Sequence, residues 1–211
     1  MQVRPGVDTY DLEWDHGEPL SVHVVETDEG TVLFGAGDEY TAEELTGIAS
    51  DHGVDAVVVE HGDGDHYAGV PSLRDALGDD LEVAVPAGDA TFLEEEGIEA
   101  DVLLEGGDDF YGVRAISVPG HTPDNMAYLH DGVLVAGDTV AGAESQYAAP
   151  GDWSGPLAVM TPDYNADDAA ARDNVARLRD YDFDVVLVTH GENVVEGGRG
   201  AVETLLDDLG V

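Results

Sequence analysis

The chain has 211 residues, enough for one domain with a hydrophobic core, and its 47 acidic against 7 basic residues give a formal net charge of −40 at pH 7. This charge argues against a nucleic acid partner, because phosphates are bound by Lys and Arg, and the absence of cysteine excludes disulfides, thiolate ligands and cysteine nucleophiles. No stretch approaches the ~20 apolar residues that cross a bilayer and the first residues lack the apolar core of a signal peptide, so we expect a cytoplasmic protein without a membrane partner.

Short apolar runs rich in β-branched residues predict eight strands, which cover 20–25, 31–34, 54–59, 81–85, 113–118, 126–129, 133–136 and 184–188. Thr41, with Glu44 three residues later, predicts an N-capped helix that ends near Ser50. Further helical patterns cover 67–77, 90–96, 166–179 and 200–209. Strands adjoin one another early and late, with helices between and after them. This order predicts a layered α/β protein with mixed sheets, built as one domain over residues 1–211.

Four of the predicted strands lead directly into a side chain that can bind a metal. These side chains are His61, His121, Asp138 and His190. Loops beyond the carboxyl ends of strands are where α/β proteins place their sites. One such strand end is common, but four in one chain predict a shared site.

The densest cluster of such residues is His61-Gly-Asp63-Gly-Asp65-His66. Two imidazoles and two carboxylates lie within six residues, and the glycines allow the backbone to fold tightly around an ion. Taken alone, a loop of this composition is equally consistent with a solvated acidic turn. The four strand ends favour the metal site.

These positions resemble the signature elements of the metallo-β-lactamase superfamily, whose loop reads H-x-H-x-D-H after a strand. The later elements P-G-H-T (119–122), G-D-T (137–139) and T-H-G (189–191) follow in the family's order. The resemblance covers nearly the whole chain. It implies an αββα sandwich, in which two mixed β-sheets lie face to face between outer helices and the metals sit on one edge.

The resemblance further implies a centre of two divalent metal ions. The implied ligands are His61, Asp63 and His121 for one ion, Asp65, His66 and His190 for the other, and Asp138 as the bridge. Asp65 is also implied to be the catalytic residue that orients a water or shuttles a proton. Thr122 and Thr139 are expected to hydrogen-bond around the ligands rather than to react.

Residue 63 departs from the family's pattern, which has His where this chain has Asp63. Zinc is the metal that the family implies. A third carboxylate lowers the Lewis acidity of the centre, and it makes iron or manganese the alternatives. The flavodiiron branch of the same fold also uses a carboxylate here and binds iron, although this chain retains His66 and lacks that branch's flavodoxin domain.

The motif set resembles the hydroxyacylglutathione hydrolase-like branch most closely, which implies a small-molecule substrate, an ester, thioester or lactone that a metal-bound hydroxide hydrolyses. Only 21 residues follow His190, which leaves little room for the helical extension with which the glutathione enzymes hold their thiol. A glutathione thioester is therefore not specifically predicted.

Three alternatives stay open at this point. Asp63 favours an iron-dependent redox enzyme, either persulfide dioxygenase-like or flavodiiron-like. A phosphodiesterase or RNA-processing nuclease shares the fold but is disfavoured by the acidic charge. A non-catalytic scaffold would follow if the site had decayed at residue 63, and the retention of the six other ligand positions argues against it.

The acidic residues are spread along the whole chain and form no single tail. Like charges at this density are tolerated when molar salt screens them, since the Debye length is ~3 Å at 1 M. We therefore interpret the charge as an adaptation to salt and expect a halophilic archaeon as the source.

The remaining candidates have simpler interpretations. No ligand partner lies at suitable spacing from the other histidines, which we expect to be structural or solvated: His16, His23, His52 and His130. The Gly- and Pro-containing stretch 141–165 has two interpretations, either a substrate loop over the site or a loop that its aromatic residues hold against the domain. Its aromatic residues Tyr147, Trp153 and Tyr164 are expected mainly to pack this loop against the domain.

Overall fold

The computed structural model describes residues 1–211, which form fourteen strands and six α-helices. The strands are β1 (Gln2–Arg4), β2 (Val7–Leu12), β3 (Leu20–Glu26), β4 (Thr31–Phe34), β5 (Ala56–Val58), β6 (Glu82–Pro86), β7 (Val102–Leu104), β8 (Asp109–Phe110), β9 (Val113–Ser117), β10 (Met126–His130), β11 (Val133–Gly137), β12 (Ala141–Gly142), β13 (Leu157–Ala158) and β14 (Val185–Val188). The α-helices are α1 (Ala42–His52), α2 (Gly64–Tyr67), α3 (Val70–Leu77), α4 (Ala90–Glu95), α5 (Asp168–Asn174) and α6 (Gly198–Leu209). Two 3₁₀ helices cover Pro162–Tyr164 and Val175–Asp180.

The first sheet contains seven strands in chain order, β1 to β7. Its first four strands pair antiparallel, and β4 to β7 pair parallel, with helices as the crossovers. Every residue of β5 is buried, because helices cover one face of this parallel half and the second sheet covers the other.

The second sheet has five strands in the order β14-β11-β10-β9-β8. Strands β8 to β11 form an antiparallel meander, while β14 joins the edge parallel to β11, with Leu134 opposite Val186. A short ribbon of β12 and β13 completes the strands.

None of the helices has the length and apolar character needed to cross a membrane.

Three hydrophobic cores define the layers. The central core lies between the two sheets, where Phe34 of the first sheet packs near Tyr128 of the second, with their ring centroids 5.5 Å apart. A second core joins the first sheet to α1, α3 and α4. A third joins the second sheet to α6 and the segment 175–180. The αββα sandwich that the family resemblance implied is confirmed.

Several boundaries differ from the sequence-based prediction. Strands β1, β2, β7, β8, β12 and β13 were not predicted, since they are short or, in β2, interrupted by Asp8 and Asp11. The predicted helix 67–77 is wrong as a single element, because the chain breaks at Gly69 between α2 and α3. A Cβ atom on Gly69 would lie 2.0 Å from the carbonyl oxygen of Ala36, so the close approach of this loop to β4 requires glycine.

The starts of α5 and α1 also differ from the prediction in detail. The predicted helix 166–179 begins instead at α5, where the Asp167 side chain accepts a hydrogen bond from the Ala170 amide at 3.0 Å, and it tightens to 3₁₀ from Val175. Thr41 does precede α1, but its hydroxyl bonds with the backbone of Asp38 and makes no capping bond to the helix. Thr41 therefore stands at the predicted N-cap position of α1, but it lacks the side-chain capping bond that the prediction implied.

The strand ends bring the candidate site together. Strand β5 leads to His61 and β9 to His121, while β11 ends directly before Asp138 and β14 two residues before His190. The first of these strands belongs to one sheet and the other three to the second sheet. The candidate residues therefore meet at one edge of the sandwich, between the two sheets.

Candidate metal centre

His61, Asp63 and His121 form one group of side chains whose possible ligand atoms lie within 4.8 Å of one another. Oδ2 of Asp63 is 3.0 Å from Nε2 of His121 and 3.6 Å from Nε2 of His61. Both histidines are buried, whereas the Asp63 side chain is 44% exposed and faces the solvent side of the group. This group coincides with the first triad expected from the sequence.

Asp65, His66 and His190 form a second group within the same distance limit. Oδ2 of Asp65 lies 3.4 Å from Nε2 of His190. His66 is completely buried and lies on α2, which starts at Gly64 and turns Asp65 and His66 inward from the loop. This group coincides with the second expected triad.

Asp138 lies between the two groups. Its Oδ2 atom is 3.5 Å from Nε2 of both His121 and His190, and its Oδ1 atom is 3.6 Å from Nε2 of His66. Nε2 of His61 is 4.0 Å from Oδ2. One buried carboxylate thus reaches histidines of both triads, which is the geometry that a bridging ligand requires.

Several buried atoms at this place have no hydrogen-bond partner, among them Nε2 of His61, Nε2 of His66 and Oδ1 of Asp138. A buried polar atom without a partner costs about 1–3 kcal/mol of stability. Divalent cations among these lone pairs would remove that penalty, and imidazole with carboxylate is a donor set that zinc, iron and manganese accept. The residues present therefore fit a divalent metal centre.

The carboxylates of the centre are held in their ionised form. Burial alone would raise the pKa of Asp138, but the charges of the neighbouring His190, His66 and His121 hold that pKa well below its usual range. Burial likewise opposes the ionisation of Asp63, but the hydrogen bond with His121 and the charge of His61 outweigh it, so the Asp63 pKa is also lowered. Both carboxylates therefore offer ionised oxygen atoms as ligands for a cation.

Glu60 orients His66, and the sequence did not single it out. Its carboxylate is buried, and Oε2 lies 3.0 Å from Nδ1 of His66. This contact places the Nδ1 proton towards Glu60 and turns Nε2 towards Asp138. Burial lowers the pKa of His66, but the charge of Glu60 outweighs that effect and raises the pKa well above its usual value.

Asp89 is a second buried carboxylate that the sequence missed. It accepts hydrogen bonds from the Gly62 amide at 3.0 Å, from the Asp124 amide at 3.1 Å and from the Thr122 hydroxyl. These three donors belong to the loops that carry His61 and His121. Asp89 therefore ties together loops from both sheets.

The two threonines do not contact the candidate ligands directly. Thr122 donates to Asp89, and Thr139 accepts a hydrogen bond from the Asn125 side chain at 2.9 Å. His23 is completely buried, with Nδ1 3.0 Å from the Thr9 hydroxyl and Nε2 3.2 Å from the Val188 carbonyl oxygen. Burial lowers the His23 pKa to about 4, so this histidine is a neutral structural residue.

A cavity of about 820 Å³ opens over the centre, and Asp63, Asp65, His121, Asp138 and His190 form its base. The three aromatic residues of the stretch 141–165 do not all pack in the same way. The Tyr147 ring lies 4.3 Å from the His190 ring, and Tyr164 packs on Tyr147, so both border the cavity. Trp153 instead donates to the Ala149 carbonyl oxygen and packs against the third core, as expected of a residue that holds the loop in place.

Trp14 and His16, in the loop between β2 and β3, also line this cavity. Trp14, which the sequence did not indicate, stacks over His190 with ring centroids 5.5 Å apart and an interplanar angle of 25°. His16 is exposed, as expected of a solvated histidine, but it lies on the cavity rim with its ring 4.5 Å from that of Trp14. Both positions arise from a loop whose sequence carries no site motif.

A model of the metallo-β-lactamase superfamily matches residues 17–190, which is more than half of the chain. The chain belongs to this superfamily. The fold usually binds divalent metals, and the groups of histidine and aspartate in this metallo-β-lactamase domain fit such a site.

Two hydroxyacylglutathione hydrolases are similar to part of this metallo-β-lactamase domain. The protein from Methylobacillus flagellatus is 33% identical over 88 residues, which cover 42% of this chain and 34% of that protein. The protein from Xanthomonas euvesicatoria is 33% identical over 114 residues, which cover 49% of this chain and 40% of that protein. The match spans well under half the length of these curated relatives.

Solved structures show the same fold along the full chain. The metallo-β-lactamase from Pontibacter korlensis superposes with a TM-score of 0.74 at 22% identity and covers 100% of this chain and 97% of its own. The metallo-β-lactamase from Erythrobacter litoralis gives a TM-score of 0.74 at 21% identity and covers 100% and 95%. At these identities the likeness establishes the architecture alone.

Proposed function

We propose that this protein is a hydrolase that cleaves an ester, thioester or lactone at a centre of two divalent metal ions. One observation carries this proposal: seven metal-competent side chains from two sheets converge around unpartnered buried atoms at the base of an open cavity. A substrate in that cavity has direct access to the centre.

The proposed ligands are the two triads already described, with Asp138 between them. Two divalent cations bound there lower the pKa of a neighbouring water and polarise a carbonyl oxygen. Asp65, whose side chain is 19% exposed, lines the cavity and is placed to orient the water and accept its proton. In the net reaction the water oxygen bonds to the acyl carbon, the bond to the alcohol or thiol breaks, and the leaving group takes up a proton.

The similarity to hydroxyacylglutathione hydrolases supports acyl chemistry of this kind. It does not extend to the choice of substrate, because the match covers only part of those proteins and pocket loops vary independently of the fold. We therefore propose the reaction class and derive the substrate's properties from the cavity itself.

The test is a panel of esters, thioesters and lactones, offered to the metal-loaded protein in molar KCl. We expect hydrolysis of at least one class, and a loss of nearly all of it in His190→Ala together with loss of bound metal. His130→Ala is the matched control, because His130 bonds to the Gly112 carbonyl oxygen at the end of β10 away from the centre. Absence of hydrolysis across the panel, or full metal content in His190→Ala, would refute the proposal.

A second candidate function, iron-dependent redox chemistry, is favoured by Asp63 alone. Its carboxylate lies within the first ligand group, where it makes the centre harder and more negative than a histidine would. Oxygen uptake by the iron-loaded protein in the presence of a persulfide would favour this candidate. Hydrolysis without oxygen uptake would exclude it.

A further inference from the structure

The walls of the cavity contain no lysine or arginine. The chain has no lysine, and its arginines are engaged elsewhere, as in the ion pairs of Arg172 with Asp168 and of Arg199 with Glu203. Carboxylates and phosphates are usually recognised by such cations. The cavity therefore lacks the usual means of holding an anionic substrate away from the centre.

Aromatic rings form much of the wall instead. Of the ten Trp and Tyr residues in the chain, four line this cavity: Trp14, Tyr40, Tyr147 and Tyr164. The rings of Trp14 and Tyr147 are 5.9 Å apart, and those of Tyr147 and Tyr164 are 5.5 Å apart at 61°. Tyr164 is 54% exposed, so part of its ring faces the open cavity.

Acidic side chains surround these rings at the mouth. Asp38, Glu39 and Asp163 line the same cavity. Asp38 accepts a hydrogen bond from Nε1 of Trp14 at 2.8 Å and another from the Tyr40 amide at 2.9 Å, so its negative charge is fixed beside the aromatic wall. A ring face and a carboxylate both attract a cation, and here both line the same cavity.

We propose that the substrate carries an alkylammonium group, held against Trp14, Tyr147 and Tyr164 while its acyl bond lies over the centre. This inference rests on the proposed function and names its substrate class. The ring faces bind the poorly hydrated alkylammonium, and Asp38 and Asp163 add an attractive field at the mouth.

Salt distinguishes the contribution of the aromatic rings to cation binding from that of the carboxylates. In molar salt the Debye length is ~3 Å, so the carboxylates at the mouth are screened and attract K⁺ as well as substrate. Contact with a ring face is not screened in the same way, and K⁺ gains less from it than an alkylammonium does, because K⁺ holds its hydration water more strongly. The aromatic wall should therefore supply the selectivity that persists at high salt.

Direct binding tests this inference without any turnover. The probes are a benzyltrimethylammonium salt, its uncharged tert-butyl analogue and a carboxylate analogue of similar size, titrated calorimetrically into the metal-loaded protein in molar KCl. We expect the ammonium probe to bind about tenfold more tightly than the uncharged analogue, which corresponds to ~1.4 kcal/mol. Equal affinity for these two probes, or tighter binding of the carboxylate, would overturn the inference.

Variants at Tyr164 locate the effect. Tyr164→Leu should reduce the preference for the ammonium probe several-fold, whereas Tyr164→Phe, which keeps the ring face, should retain it. Tyr181→Leu is the matched control, because Tyr181 lies under the Arg114 guanidinium away from the cavity and should leave the preference unchanged. An unchanged preference in Tyr164→Leu would show that this ring does not hold the cation.

Matched thioacetates with ammonium, tert-butyl and carboxylate ends then separate the two proposals. Faster hydrolysis of the thioacetate with the ammonium end supports both proposals. Hydrolysis without a charge preference overturns the ammonium inference and leaves the proposed function standing. Selective ammonium binding without hydrolysis of any ester keeps the cation site and refutes the hydrolase.

Discussion

Glu60 and His66 form a buried pair in which Oε2 of the carboxylate lies 3.0 Å from Nδ1 of the imidazole. The contact holds the ring so that Nε2 faces the candidate centre, which is a relationship that metal-binding histidines commonly require. Glu60 should therefore control how well His66 binds a metal, although Glu60 itself does not reach the centre.

We expect Glu60→Gln to weaken metal binding by about 10- to 100-fold, because the neutral amide no longer stabilises the proton on Nδ1. Metal affinity measured with a competing chelator checks this. Glu82→Gln serves as the control, since Glu82 accepts a hydrogen bond from Tyr111 in another part of the first sheet. Equal affinities of Glu60→Gln and the wild type would remove Glu60 from this role.

Asp63 sets the charge of the centre. Replacing this carboxylate by a neutral imidazole in Asp63→His makes the site more positive and softer, so we expect a shift of preference towards zinc over iron or manganese. The pH at which hydrolysis reaches half its maximum should also fall, because a more positive centre ionises water more readily. Competition with equal zinc, manganese and ferrous iron measures the first effect, and a pH–rate profile measures the second. If both stay unchanged, Asp63 is a bystander.

The surface charge makes a prediction about salt. Of the 47 acidic residues, few have a cationic partner, because the chain contains only seven arginines. Screening of the repulsion among them should raise the melting temperature as KCl increases through the molar range. Thermal unfolding followed by circular dichroism checks this. A melting temperature that is constant or falls with salt contradicts the adaptation.

His23 predicts how stability depends on pH. Burial lowers its pKa in the folded protein to about 4, whereas the unfolded value is 6.5, so the unfolded chain binds a proton first as the pH falls. This contribution to stability is fully present above pH 6.5 and is lost between there and about pH 4. The loss amounts to about 3 kcal/mol.

Denaturant unfolding of the metal-free protein at a series of pH values measures this effect. His23→Gln should show a shallower decline of the unfolding free energy over that range. His130→Gln should keep the wild-type slope. Parallel slopes for His23→Gln and the wild type would mean that His23 takes up its proton without unfolding.

The strand ends of the site were predictable because their signals are local. The apolar run before His61 and the one before His190 each specify a buried strand, and the side chain that follows is placed by the end of that strand. The spacing of the family motifs supplied the grouping into triads. The strand signals and the motif spacing can both be read from the sequence without knowledge of the tertiary structure.

The supporting residues were not predictable in the same way. Glu60 and Asp89 are two among 47 acidic residues, and only burial, which depends on how distant loops pack, distinguishes them from surface charge. Trp14 reaches the cavity because its indole donates to Asp38 and its ring stacks on His190. No periodicity in the sequence connects these three positions.

The place of β14 has a consequence for how the protein matures in the cell. His190 follows the last strand of the chain, and that strand joins the edge of the second sheet beside β11. During synthesis the loop that carries His61 and His66 therefore leaves the ribosome long before the final ligand does. In the proposed centre the early loop alone offers a nascent chain only part of the ligand set, and the full set forms only when β14 docks.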